Sequence, residues 1–158
     1  MSEKTYKQKY EEQTKICDEK IAIILPFLKE FSKKHDAGTG FYEDVTILRG
    51  PSTAEYNYLR DNHQELFNRW QQGKVSMFNI KGAGLTFVLE YKLVPDAAYV
   101  YKDTILTNHV YVPANAYTFY KHQFQPVSLE IAKAVKDLYT AQEYRSALYG
   151  CMRDSRLR

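Results

Sequence analysis

Residues 85–93 alternate between two sets of side chains, and the run is bracketed by Gly84 and Pro95. Leu85, Phe87, Leu89, Tyr91 and Leu93 point one way, while Thr86, Val88, Glu90 and Lys92 point the other. A period of two is the mark of a β-strand. Residues 75–80 read as a second strand, and Lys81-Gly82-Ala83-Gly84 between them supplies two glycines for a hairpin. Strands joined by short turns pair antiparallel. The chain must therefore build an antiparallel sheet around this segment.

The β character continues downstream. Val94-Pro95-Asp96 reads as a turn, residues 98–101 and 104–112 as strands about a turn at Lys102-Asp103, and residues 117–124 as a further strand after a break at Pro113-Ala114-Asn115-Ala116. Upstream, residues 41–48 also alternate, with Phe41, Val45 and Ile47 opposite Tyr42, Asp44 and Thr46.

Three segments carry helical spacing instead. Residues 2–34 place Cys17, Ile21, Ile24, Leu28 and Phe31 on one seam, which Tyr10 and Thr14 extend backwards. Pro26 predicts a kink or break near Leu25. The charged first half, to about Lys15, is expected to project from the body. A middle helix starts at Ser52 or Thr53, carries Tyr56, Leu59, His63, Leu66, Phe67 and Trp70 on one stripe, and stops at Gly73. A last helix covers residues 127–149, followed by a basic tail at 151–158 that is expected to fray.

A length of 158 residues suits one domain. The expected fold is a single α+β domain over residues 1–158: an antiparallel sheet of about five strands, with a long N-terminal helix, a middle helix and a C-terminal helix packed on one face. Apolar residues make up 44% of the chain, and 14 Tyr, 8 Phe and 1 Trp argue against disorder. No window approaches the roughly 18 apolar residues a membrane-spanning helix needs. Residues 1–20 are charged throughout and lack the apolar stretch of a secretory signal. Two cysteines, Cys17 and Cys151, cannot form a disulfide framework or a four-thiolate zinc site. A reduced, cytoplasmic protein is expected.

Candidate chemistry is sparse. Glu90-Tyr91-Lys92 sets a carboxylate and an ammonium on one strand face, as in metal-dependent nucleases of the PD-(D/E)xK type. That chemistry also needs a neighbouring acid; residues 75–80 offer none, so Asp44 or Glu43 would have to stand adjacent. The competing reading is a surface charge pair worth under about 1 kcal/mol. Among His35, His63, His109 and His122 no metal-ligand spacing occurs. His63 falls on an apolar stripe and reads as a packing residue. His109 and His122 would meet for acid–base work only if their strands paired across the Pro113 turn. Cys17 reads as a packing residue, and Cys151 sits beside the basic tail with nothing further in the sequence to support a reactive thiol. No G-x-S-x-G, Walker A or G-x-G-x-x-G motif is present, so neither a cofactor nor a metal is expected.

Partner binding is better represented. Tyr99, Tyr101, Tyr111, Tyr117 and Tyr120 crowd the β region, with Lys121 beside them. Tyrosine suits half-exposed interfaces, although strands also favour it for its own sake. Interleaved with lysines, such rings can also stack bases, but a net charge of +3 supports only a small phosphate footprint. Tyr6 and Tyr10 on the first helix are candidates for a homo-oligomer contact.

The expected function is non-enzymatic binding of another protein, as an adaptor or inhibitor, through the tyrosine-rich sheet surface or the N-terminal helix. The alternatives are nucleic-acid binding through the same face, a hydrolase centred on Glu90 and Lys92, and a ligand pocket lined by Trp70. Small motif-poor chains of this kind are often viral, phage or mobile-element proteins acting on host machinery, a base-rate expectation of origin.

Overall fold

A computed structural model describes residues 3–154. The expected helix start at Ser2 and residues 155–158 of the expected frayed tail lie outside the described residues. Within them, an α+β domain is built from five helices and one five-stranded antiparallel sheet. The order is α1 (Tyr6–His35), α2 (Gly40–Glu43), β1 (Ile47–Arg49), α3 (Thr53–Asn62), α4 (Gln64–Gln71), β2 (Val75–Ile80), β3 (Leu85–Tyr101), β4 (Thr104–Tyr120), β5 (Gln123–Pro126) and α5 (Leu129–Arg153). The strands form a simple meander, each paired with its sequence neighbour.

α1 begins with a capping box. The Thr5 hydroxyl accepts from the Gln8 backbone N–H, and the Gln8 side chain accepts from the Thr5 N–H. Two orphan donors are thereby satisfied. The seam residues Cys17, Ile24, Leu28 and Phe31 are buried, as their spacing predicts. The helix runs through Pro26 to His35 without ending. Pro26 and Ala22 both face solvent, so the carbonyl that loses its partner is met by water. Nor does the first half project. Tyr10 packs on Tyr149, and Lys20 pairs with Asp137, so α1 lies antiparallel along α5.

The helices divide between the two faces of the sheet, which corrects the expectation of one covered face. α1 and α5 pack Ile24, Leu28, Phe31, Val135 and Leu138 on Phe78, Ile80, Leu85 and Phe87. α3 and α4 pack Leu59, Leu66 and Phe67 on Val75, Met77, Val88 and Phe119 on the opposite side. The middle helix is broken at His63, whose ring lies near Tyr58, Phe119 and Phe124. The Asn62 side-chain amide donates back to the Tyr58 carbonyl at that break. The expected strand at residues 41–48 shrinks to Ile47–Arg49, because residues 40–43 close the single turn α2, which buries Phe41. Gly50 lies against the Trp70 indole at φ +94°, a backbone conformation that L side chains rarely adopt.

The expected breaks at Val94-Pro95-Asp96 and Pro113-Ala114-Asn115-Ala116 are absorbed as register shifts, between Pro95 and Ala98 and between Glu90 and Tyr91. β3 and β4 therefore stay continuous for 17 residues each. The β4–β5 turn falls at Lys121-His122, both with positive φ, inside what the sequence predicts as a strand. Lys102 and Asp103 make the same kind of turn at the β3–β4 tip, as expected.

Candidate functional site: a projecting β-ribbon

β2 pairs with β3 only as far as Glu90, and β5 pairs with β4 only from Tyr117 to Tyr120. Beyond those limits residues 91–113 form a two-stranded arm that leaves the body. From Tyr91 to the tip it spans about 35 Å at the usual strand rise. The Tyr91 N–H still donates to the Lys74 carbonyl at the root; beyond it, among the described residues, neither outer edge of the arm has a strand partner.

Alternation and register define the arm's two faces. The face on the α1/α5 side carries Leu93, Pro95, Ala98 and Val100 on β3, opposite Tyr111, His109, Thr107 and Ile105 on β4. It holds no Lys, Arg, Asp or Glu. Val100 and Ile105 are 70% and 74% exposed, and Leu93 and Tyr111 are about half exposed. The opposite face carries Lys92, Val94, Tyr99 and Tyr101, facing Val112, Val110, Leu106 and Thr104. The charges of the arm are Lys92, Asp96, Lys102 and Asp103, which sum to zero.

The tyrosines do not make one surface. Tyr99 and Tyr101 share one face of the arm and Tyr111 sits on the other. Tyr120 packs edge-on against Phe31 and His35 in the body, and Lys121 lies over the Tyr120 ring at the far end of β4. Tyr117 is half-buried, and its hydroxyl donates to Glu90 at 3.0 Å. Burial first, and then the Glu90 carboxylate, push its phenol well above the ordinary value of 10.0, with Arg69 opposing.

Glu90 is thus held twice, by Tyr117 and by Arg69 at 3.1 Å. Lys92, on the same face of β3, is exposed at the root of the arm. Asp44 and Glu43 do not approach this pair. They precede β1, which meets β2 only at Phe78, Asn79 and Ile80, whereas Glu90 pairs with Val75 at the other end of β2. Among the described residues no group of three His, Cys, Asp or Glu could hold a metal. A phenol that donates to a carboxylate stabilises it, and hydrogen bonds to charged groups are worth about 1.5–3 kcal/mol. Because Arg69 still partners Glu90, Tyr117→Phe is expected to cost about 1–2 kcal/mol in urea unfolding. The wild type should also lose stability as pH rises past about 10, because its unfolded phenol ionises there while the folded one keeps its proton. Tyr117→Phe should remove that share of the alkaline loss.

The two candidate histidines stand apart. His109 is opposite Pro95 on the arm, whereas His122 lies in the β4–β5 turn, about 35 Å away along β4. No acid–base pair forms between them. His122 instead packs on Tyr58, with ring centroids 3.7 Å apart, and its Nδ1 is 3.0 Å from Glu55 Oε2. The contact falls outside hydrogen-bond geometry. Glu55 is 4% exposed, a buried carboxylate in the first turn of α3.

The remaining candidates lie on α1 and α4. Tyr10 is engaged by Tyr149, and Tyr6 lies beneath Lys9. Trp70 packs edge-on against Tyr56 and Phe67. Cys17 is buried, and burial raises its thiol pKa, the reverse of an activated nucleophile. Among the described residues no helix is long and apolar enough to cross a membrane. No protein-family model, curated protein or solved structure matches the chain.

Proposed function

We propose that this protein is a non-enzymatic binding module whose working part is the β3–β4 arm, which docks on another polypeptide. The observation that carries the reading is the exposure of Leu93, Val100, Ile105 and Tyr111 on a two-stranded arm of zero net charge. A folded chain rarely leaves a contiguous apolar face and two unpaired strand edges in water unless something covers them. The free thiols of Cys17 and Cys151 favour a reducing compartment, so the cytoplasm is the proposed site of action.

Neutrality also ranks the alternatives. A nucleic-acid platform needs clustered cations, and on the arm every lysine is matched by an aspartate. The hydrolase reading lacks its second acid, since Glu90 is committed to Tyr117 and Arg69.

The test compares tagged wild type with a Leu93→Ser, Val100→Ser, Ile105→Ser variant in pull-downs from one lysate, with and without nuclease. The expected outcome is a captured polypeptide that survives nuclease and falls at least about tenfold in the variant, as loss of three apolar anchors implies. Binding should change little with salt, because apolar contacts release few counterions. Equal capture by the variant, or capture lost on nuclease treatment, would overturn the reading.

A further inference from the structure

We infer that the outer edge of β4 on the arm pairs antiparallel with the same edge of a second copy of this chain, across a two-fold axis at Asn108. The inference rests on the arm being a binding element, and concerns its free β4 edge rather than its apolar face.

The two edges of the arm are built differently. The β3 edge carries Lys92, Pro95 and Asp96 and is bent by the register shift between Pro95 and Ala98. A missing N–H, charges and a bulge are the devices that keep an edge strand from recruiting another. The β4 edge has none of them. Residues 104–112 contain no Lys, Arg, Asp, Glu, Pro or Gly, and the register shift opposite Asn108 places its extra residue on β3, where Asp96 and Ala97 stand against Asn108 alone. Many are β-branched, which suits a paired strand. A bare edge of nine residues beside a guarded one is a template for strand addition.

The second copy fits this edge for three reasons. An antiparallel strand pair closes under a two-fold axis, so self-pairing gives a finished, isologous contact. Full overlap of residues 104–112 sets Asn108 against Asn108 of the second copy, and Ile105 against its Tyr111. An amide can both donate to and accept from its own kind, and an aromatic beside a β-branched side chain is a favourable cross-strand pair. The run also presents no charge that would repel its copy or attract an acidic or basic peptide.

The geometry leaves room for both bodies. β5 is antiparallel to β4 and ends at Pro126, opposite Tyr117. The incoming strand occupies the same lane beyond that end. Asn108 lies about 26 Å from Ala116, where the body begins, so two bodies stand about 50 Å apart along a four-stranded ribbon.

Sedimentation equilibrium of the full chain across a dilution series tests this. The expected mass is near twice 18.5 kDa. Asn108→Lys and Asn108→Asp each place like charges on the axis and should each raise the dimer Kd by about 100-fold or more. An equimolar mixture of the two variants should dimerise again, because the introduced ammonium of one chain then faces the introduced carboxylate of the other. Recovery in the mixture also excludes misfolding as the cause of dissociation.

A wild type that stays monomeric would overturn the inference. So would an Asn108→Lys protein that dimerises as tightly as the wild type, or a mixture no tighter than its components. A monomeric wild type that still captures another protein through Leu93, Val100 and Ile105 would overturn the dimer and leave the binding-module reading standing. Capture indifferent to those three residues would overturn that reading itself.

Discussion

Phe119→Ala is expected to lower the stability of this protein by about 3–5 kcal/mol, the usual cost of truncating a fully buried phenylalanine. Phe119 is 0% exposed and lies under α3 and α4 with Leu59, Leu66, Val88 and Met77. Its ring is 4.5 Å from Phe124, 6.1 Å from Tyr58 and 6.2 Å from His63. These neighbours come from α3, the α3–α4 break and β5, so the cavity cannot be closed by one side chain relaxing. A loss of this size is a large part of a typical 5–15 kcal/mol total. It should lower Tm by roughly 10 °C in a chain of this length. Phe119→Leu retains most of the volume and should cost under about 2 kcal/mol. Urea denaturation of both variants decides the matter. A Phe119→Ala cost below about 1 kcal/mol would mean that α3 and α4 do not pack on the sheet as described.

Excising the arm is expected to have the opposite profile, with a large effect on association and a small one on stability. Leu93 and Tyr111 are register partners, so joining them through Asn-Gly replaces residues 94–110 with a two-residue turn of the kind that already closes the tip. Nothing removed belongs to a core cluster; the last arm residue that packs on the body is Tyr91, which touches Leu89 and Ala132 and bonds Ser76. The shortened protein should unfold within about 1 kcal/mol of the wild type, as surface changes generally do. It should sediment as a monomer and lose the captured partner. A fall of several kcal/mol would show that the arm folds back on the body, and retained association would locate the interface elsewhere.

Much of the architecture is legible in residue order alone. The alternation at residues 85–93, the seam from Cys17 to Phe31 and the turn at Lys102-Asp103 each follow from a local period or a local turn preference, and each is found where expected. The errors share one cause. Pro95 and Pro113 read as strand breakers because proline removes a ladder donor. In the folded chain the neighbouring strand absorbs both through register shifts, information that lies some twenty residues away. His63 reads as one point on a continuous stripe, but the aromatic cluster around Phe119 claims its ring and breaks the helix.

The candidate site divides the same way. Tyrosine enrichment of residues 91–120 and the absence of charge from Thr104 to Val112 are in plain view. Which tyrosines face solvent is not, because that depends on where β2 and β5 stop. β2 begins at Val75 and β5 stops at Pro126, and these two limits leave residues 92–112 without a third strand alongside. Local periodicity is a property of consecutive residues, so the chain specifies its strands, helices and tip turn directly. Burial and edge exposure are properties of who lies alongside, so only the assembled sheet separates Tyr117 and Tyr120 in the body from Tyr99, Tyr101 and Tyr111 on the arm.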